Sequence, residues 1–253
     1  MPFATNGGTG AETTDDTVDV DAAAARSSSP KLLFSMRHHL GTEARLILAS
    51  ESPRRREILG MMGLQDRFET IPSPLDESAL QLELSSTPHE GHRCVADPKE
   101  YTRILAEEKA RALAISLSAN TIDHSVHLPM LILGSDTIVE LDGKILEKPV
   151  DQVDANKMLC ALSGREHYVH TGVAIFKVLP QTSQSDIFMA LQSSFTDTAY
   201  VQFAELSQED IDAYIATGEP MDKAGSYGIQ GIGGQLVKGV RGDFFTVSGL
   251  HMR

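Results

Sequence analysis

The sequence predicts an α/β protein, and three observations carry that prediction. Leu46-Ile47-Leu48-Ala49 reads as a short buried strand that feeds straight into Ser52-Pro53, an N-cap residue followed by proline at the first helical position. Leu131 to Val139 is a second apolar run, ending as a strand on the small-small-acidic triplet Gly134-Ser135-Asp136 and followed by the two-residue hairpin signal Asp142-Gly143. Between them, Asp97-Pro98-Lys99-Glu100 combines an N-cap, a proline at the first helical position and a capping-box acid, opening a long helix. Open sheets of this kind bind ligands where strands end, so the Asp136 carboxylate is placed for chemistry.

The remaining elements follow in order. Residues 1–44 are rich in Gly, Thr, Asp, Ala and Ser, with few apolar side chains before Leu32, and read as a disordered tail. Glu12, Asp15, Asp16, Asp19 and Asp21 speak against a transit peptide, and no basic opening or long apolar stretch marks a signal peptide. After the Pro53 helix, with Ile58, Leu59 and Met62 on its apolar side and Gly63 as its stop, Phe68 to Ile71 reads as a strand. Residues 83–96 look like a loop or insertion. His89-Glu90-Gly91-His92 within it superficially resembles a zinc-protease motif but lacks the required spacing. Tyr101, Ile104, Leu105, Ala112 and Ile115 mark the buried face of the long helix. Asp151 caps a further helix through Leu162, closed by Gly164. Tyr168 to Leu179 and Thr198 to Ala204 read as strands, with a polar connection from Pro180 to Asp186. Ser207 with Asp210 caps a last helix bearing Ile211, Tyr214 and Ile215.

Composition bounds the function. At 253 residues and 41% hydrophobic content the chain can bury a sizeable core. A net charge of −13 argues against DNA, RNA or an anionic membrane as a partner, since each needs a broad basic face. A small anionic substrate remains compatible with local clusters of arginine and lysine. Two cysteines, Cys94 and Cys160, are too few for a metal cage or redox pair, so a reduced cytoplasm is the expected compartment. No run of 18 apolar residues is present to span a bilayer.

Two further segments suggest chemistry. Arg54-Arg55-Arg56 places three cations in the first turn of a helix, where the dipole disfavours them. An anion held there by free N–H groups, serine hydroxyls and guanidinium forks resolves the conflict. The segment alone reads equally well as a solvated basic turn. Between residues 225 and 234 stand five glycines, which packing does not explain and which permit close backbone approach. Lys223 and Gln230 are the polar groups this loop presents.

Taken together, these segments resemble the Maf family of nucleotide pyrophosphatases. The residues that carry the resemblance are Ala49-Ser50-Glu51-Ser52-Pro53-Arg54-Arg55, Gly134-Ser135-Asp136-Thr137, Leu146-Glu147-Lys148-Pro149, Leu162-Ser163-Gly164, Thr171-Gly172-Val173-Ala174 and Asp222-Lys223-Ala224-Gly225-Ser226-Tyr227-Gly228-Ile229-Gln230-Gly231. They occur in the family's order and make residues 45–253 one domain, similar to the Maf-like domain of acetylserotonin methyltransferase-like proteins. The fold implied is a long mixed twisted sheet flanked by helices, with two lobes around a central cleft. The activity implied is hydrolysis of a nucleoside triphosphate to the monophosphate and pyrophosphate with a divalent cation, Mg2+ or Mn2+, often in a homodimer.

By that resemblance Asp136 activates water, directly or through the metal, and Glu77 and Asp136 are the candidate metal ligands, between which the sequence does not decide. Ser50, Arg54, Arg55, Lys109, Lys148 and Lys223 hold phosphate oxygens. Arg54, Thr137 and Gln230 mark the branch acting on dTTP and UTP, and a glutamine amide both donates to and accepts from a pyrimidine edge. A 7-methyl-GTP pyrophosphatase, which the Gln230 loop disfavours, and a nucleotide-binding regulator without turnover are the alternatives. Family members usually continue past Val247-Ser248-Gly249-Leu250 with a proline and a closing helix, which this sequence is expected to lack. Thr246 stands where asparagine is frequent.

Overall fold

The computed structural model describes residues 39–85, 97–120, 128–180 and 188–251, all in one compact unit. The tail before residue 39, the His89–His92 motif and most of the polar connection after Pro180 lie outside these residues.

One mixed sheet of seven strands organises the chain. Its strands are β1 (Arg45–Ala49), β2 (Phe68–Thr70), β3 (Met130–Leu141), β4 (Lys144–Leu146), β5 (Glu166–Val178), β6 (Met189–Phe203) and β7 (Val237–Arg241). The order is β2-β1-β3-β5-β6-β7, with β4 on β3; β2, β1 and β3 run parallel and the other pairs are antiparallel. Among the described residues six α-helices flank it: α1 (Pro53–Leu59), α2 (Glu77–Ser85), α3 (Pro98–Asn120), α4 (Gln152–Leu162), α5 (Gln208–Ala216) and α6 (Phe244–Ser248). Among the described residues no helix is long and apolar enough to cross a membrane.

Alternation along β1 shows why the sheet is buried on both faces. Leu46 and Leu48 join Ile58, Leu59, Leu133 and Val173 on the α1 side. Ile47 and Ala49 join Ala110, Leu113, Ala114 and Phe176 on the α3 side. Leu40, ahead of β1, is 4% exposed and belongs to the α1-side cluster, so apolar burial begins before the strand. On α3, Tyr101, Ile104 and Leu105 are buried as expected, whereas Ile115 is exposed and Ala106, Ala110, Leu113 and Ala114 complete the buried stripe.

The sheet-edge reading of Asp136 needs correction. Gly134-Ser135-Asp136 does not end a strand; it lies inside the 12-residue β3. β1 pairs with β3 as far as Gly134, and β4 pairs with it again only from Val139. Both lie on the side opposite β5, which pairs without a break from Met130 to Glu140. Ser135 to Ile138 therefore face a gap in the sheet, which is where a cleft can open. Gly134 also lets α3 lie directly on the strand, because a Cβ there would sit 2.1 Å from the Ala106 carbonyl oxygen. Gly172 on β5 plays the same part against Thr102, at 2.2 Å.

Candidate active site

The gap in the sheet opens into a cavity of about 860 Å³. Ser50, Arg54, Arg55, Glu77, Lys109, Asp136, Thr137, Lys148, Lys223 and Gln230 all line it, so the ten residues nominated from sequence meet in one place. They come from the end of β1, α1, the start of α2, the middle of α3, β3, the turn after β4 and the glycine loop.

The sheet side of the cavity is an ion cluster. Lys109 Nζ donates to Asp136 Oδ1 at 2.6 Å and lies 2.8 Å from Glu77 Oε2. Lys109 and Asp136 are 5% and 7% exposed, so neither charge is well hydrated and each depends on the other. Burial disfavours the ammonium, yet Asp136 and Glu77 hold its pKa above the ordinary lysine value. The second Asp136 oxygen, Oδ2, is buried and accepts no hydrogen bond.

Arg55 fills the next position. Its Nε donates to the Gly249 carbonyl at 2.7 Å, one Nη to Ser50 Oγ at 3.2 Å and the other to Thr137 Oγ1 at 3.3 Å. Burial lowers its pKa, and Asp136 opposes that shift. Ser52 begins α1 as expected, with Pro53 following, but its hydroxyl makes no capping bond. Its N–H instead donates to Ser50 Oγ at 3.1 Å. Arg54 points elsewhere, to Asp222 Oδ2 at 3.2 Å. Successive helical residues diverge, and here the divergence sends the two guanidinium groups to opposite walls.

The glycine loop forms that opposite wall. Glu219, which sequence reasoning missed, organises it by accepting from Ile232 N at 2.9 Å, Gly233 N at 3.1 Å and Tyr214 OH at 3.0 Å. Those backbone N–H groups outweigh the effect of burial and hold its pKa below the ordinary carboxylate value. A Cβ at Gly231 would sit 2.5 Å from Glu219 Oε2, so the close approach that this glycine permits is to the protein itself. Lys223 Nζ donates to the Glu219 carbonyl at 2.7 Å and to Asp222 Oδ1 at 2.5 Å. Gln230 lines the cavity with a buried Oε1 that has no hydrogen-bond partner.

Glu147 is the second residue that sequence reasoning left out of the site, although its neighbour Lys148 was included. It lines the cavity and accepts from Tyr101 OH at 2.8 Å. Burial, reinforced by the Asp136 charge, pushes its carboxyl up to about 7. The signal was present in the Asp142-Gly143 turn, which returns Glu147 and Lys148 towards Asp136, with φ +52° and +76° at its two residues. The one three-ligand group among the described residues, Asp197, Asp243 and His251, lines a separate small cavity and takes no part in this cleft.

Carboxylates facing cations across a gap in a mixed sheet define a class: α/β proteins whose cleft is built for a small, multiply charged anion. Comparison with known proteins sharpens that class. Residues 45–253 match the Maf-like protein family, and the chain belongs to it. It is 44% identical over 208 residues to a human protein described as a probable bifunctional dTTP/UTP pyrophosphatase/methyltransferase, covering 82% of this chain but only 30% of that protein. It is 43% identical over 213 residues to the dTTP/UTP pyrophosphatase of Shewanella denitrificans, covering 81% of this chain and 90% of the relative. The dTTP/UTP pyrophosphatase of Vibrio cholerae is 38% identical over 211 residues, with 83% and 94% covered.

Proposed function

We propose that this chain hydrolyses dTTP and UTP to the nucleoside monophosphate and pyrophosphate. The observation that carries this reading is the Asp136 carboxylate, which lines the cleft, is fixed by Lys109 through one oxygen and keeps a second oxygen that is buried and without a partner. In the reaction, a water attacks the α-phosphorus, its proton passes to Asp136 Oδ2, and the bond from the α-phosphorus to the bridging oxygen breaks. Ser50, Arg55 and Lys109 serve the phosphates from the sheet side. Arg54, Lys148 and Lys223 take up the charge that grows on the departing pyrophosphate.

The donor set suits a hard divalent cation. Glu77 and Asp136 offer carboxylate oxygens in the same cleft, the hard donors such a cation prefers. When bound, Mg2+ or Mn2+ supplies positive charge to the phosphate oxygens and acidifies coordinated water. The base reading rests on Gln230, whose unpartnered amide oxygen can accept from a pyrimidine N–H. Two names among the relatives given above for bacteria carry the same substrates. A homodimer in the cytoplasm completes the proposal, supported by family resemblance and by the low cysteine content.

The test is pyrophosphate release from dTTP, UTP, CTP, GTP and 7-methyl-GTP with Mg2+ or Mn2+. Fastest turnover of dTTP and UTP is expected. Preference for 7-methyl-GTP, or binding without turnover of any of the five, overturns the reading.

A further inference from the structure

Thr171 lies on β5, fully buried and outside the lining of the cavity. Its surroundings nevertheless lead into the cleft. Its hydroxyl has one proton and two polar neighbours, the Thr246 carbonyl oxygen at 2.7 Å and Thr137 Oγ1 at 2.9 Å. A carbonyl only accepts, so the Thr171 proton goes to Thr246. Thr137 must then donate to Thr171, which leaves only Thr137 lone pairs for Arg55 Nη2 at 3.3 Å. Every proton in the row is thereby assigned, from the guanidinium to Thr137, from Thr137 to Thr171, and from Thr171 to the backbone.

The row ends on the same turn that grips Arg55 directly. Gly249, with φ +113°, closes α6 and donates its N–H to the Phe245 carbonyl at 3.0 Å. Its own carbonyl accepts from Arg55 Nε at 2.7 Å and from Ser135 Oγ at 3.1 Å. Thr246 Oγ1 ties the turn to β6 by donating to Asp197 Oδ2 at 2.5 Å. One end of the guanidinium is thus held at Nε by the Gly249 carbonyl and the other at its two Nη atoms by the Ser50 and Thr137 hydroxyls, of which Thr137 leads through Thr171 to the Thr246 carbonyl. A guanidinium fastened at both edges keeps the orientation of its plane, and a fixed fan of N–H donors in that plane makes it a directional phosphate ligand.

We propose that Thr171 is a positioning residue for Arg55, acting through Thr137 to aim the guanidinium at the substrate phosphates. The inference rests on the pyrophosphatase reading and adds a residue with no contact to substrate. It also changes the part Thr137 plays. With its only proton committed to Thr171, Thr137 influences base choice through the fork it seats and not by donating to a base.

Thr171→Val keeps the shape of the side chain and removes the hydroxyl; Thr171→Ser keeps the hydroxyl. Loss of aim at a positioned charge is expected to lower kcat/KM for dTTP about tenfold in Thr171→Val, and to leave Thr171→Ser within roughly twofold of the parent. Both variants are checked for an unchanged circular dichroism spectrum. The decisive measurement repeats Thr171→Val in an Arg55→Lys enzyme, which retains a charge but has no fork to aim. There Thr171→Val is expected to change kcat/KM by less than about twofold, the signature of two residues acting as one unit. The same loss in both backgrounds, or a serine variant as impaired as the valine, overturns the inference and leaves the pyrophosphatase reading standing. An enzyme indifferent to both Arg55→Lys and Arg55→Ala overturns the phosphate role of Arg55 and the inference with it.

Discussion

The two walls of the cleft are built on different principles. On the sheet side, charges are buried and paired. Lys109 lies between the buried Asp136 and the more exposed Glu77, and the helix that carries it packs directly on the strand that carries Asp136. On the loop side, charges meet near the surface. Arg54 pairs with an Asp222 side chain that is 63% exposed, where solvent weakens the attraction. The buried polar atom of that wall that lacks a partner is neutral, Oε1 of Gln230. Buried pairs on regular elements fix an atom's position, which a proton transfer needs. A loop held by backbone N–H groups around Glu219 can present an amide without bringing a buried charge with it. Under the proposed function the proton transfer falls to the sheet wall and base recognition to the loop wall, which also lends Arg54 and Lys223 to the departing pyrophosphate.

The largest expected effect tests the chemical wall. Asp136→Asn preserves size but removes the proton acceptor, and general-base contributions run about 10²–10⁴-fold. Turnover should fall by that range for every nucleotide alike, with the far-ultraviolet circular dichroism spectrum unchanged. Near-parental pyrophosphate release, or a loss confined to some bases, breaks the division between the walls.

Glu147 gives the same wall a pH signature. Its ordinary pKa is 4.5, and burial with the Asp136 charge raises it to about 7 in the folded protein. Between those values the folded chain keeps a proton that the unfolded chain has lost. Its contribution to stability is therefore fully present below about pH 4.5 and is lost as pH rises through about 7. The interval corresponds to at most about 3 kcal/mol. Glu147→Gln retains an acceptor for Tyr101 and cannot ionise. It should raise the melting temperature relative to the parent at pH 8 by more than at pH 5, measured with a chelator present. Equal differences at both pH values would show that the carboxyl is not buried against Asp136 as described.

Local chemistry made most of the frame legible. The Asp142-Gly143 turn, the Ser207–Asp210 capping box and the Asp151 cap are all settled within four residues of chain, and all are present. The candidate site was legible because its charged and amide groups sit in short motifs that can be read locally, even where, as at Asp136 and Lys109, they lie in mid-element. What sequence did not show depends on packing between distant segments. Tyr101 reaches Glu147 across 46 residues, Thr171 reaches Thr246 across 75, and Arg55 reaches Gly249 across 194. A tyrosine in an apolar helical stripe or a threonine in a strand gives no local sign of such a partner. The misplaced strand end has the same origin. Gly134 looked like a terminator, whereas it makes room for the backbone of α3 in mid-strand.

The smallest expected effect tests the recognition wall through Gln230. Gln230 lines the cavity, and its Oε1 is buried without a partner, an acceptor with nothing to accept from. A pyrimidine edge offers an N–H beside a carbonyl, matching the oxygen and the N–H of one amide. Gln230→Glu keeps the length and an acceptor but removes the donor, leaving the base carbonyl facing a second oxygen. An unsatisfied buried polar group costs about 1–3 kcal/mol, equivalent to roughly 10- to 100-fold in selectivity. The kcat/KM for dTTP and UTP should fall by that factor relative to a poorer nucleotide assayed in parallel, with the poorer nucleotide little changed. If every nucleotide loses equally, Gln230 belongs to loop architecture or phosphate binding. The contrast between the two walls would then fail at the residue chosen to define it.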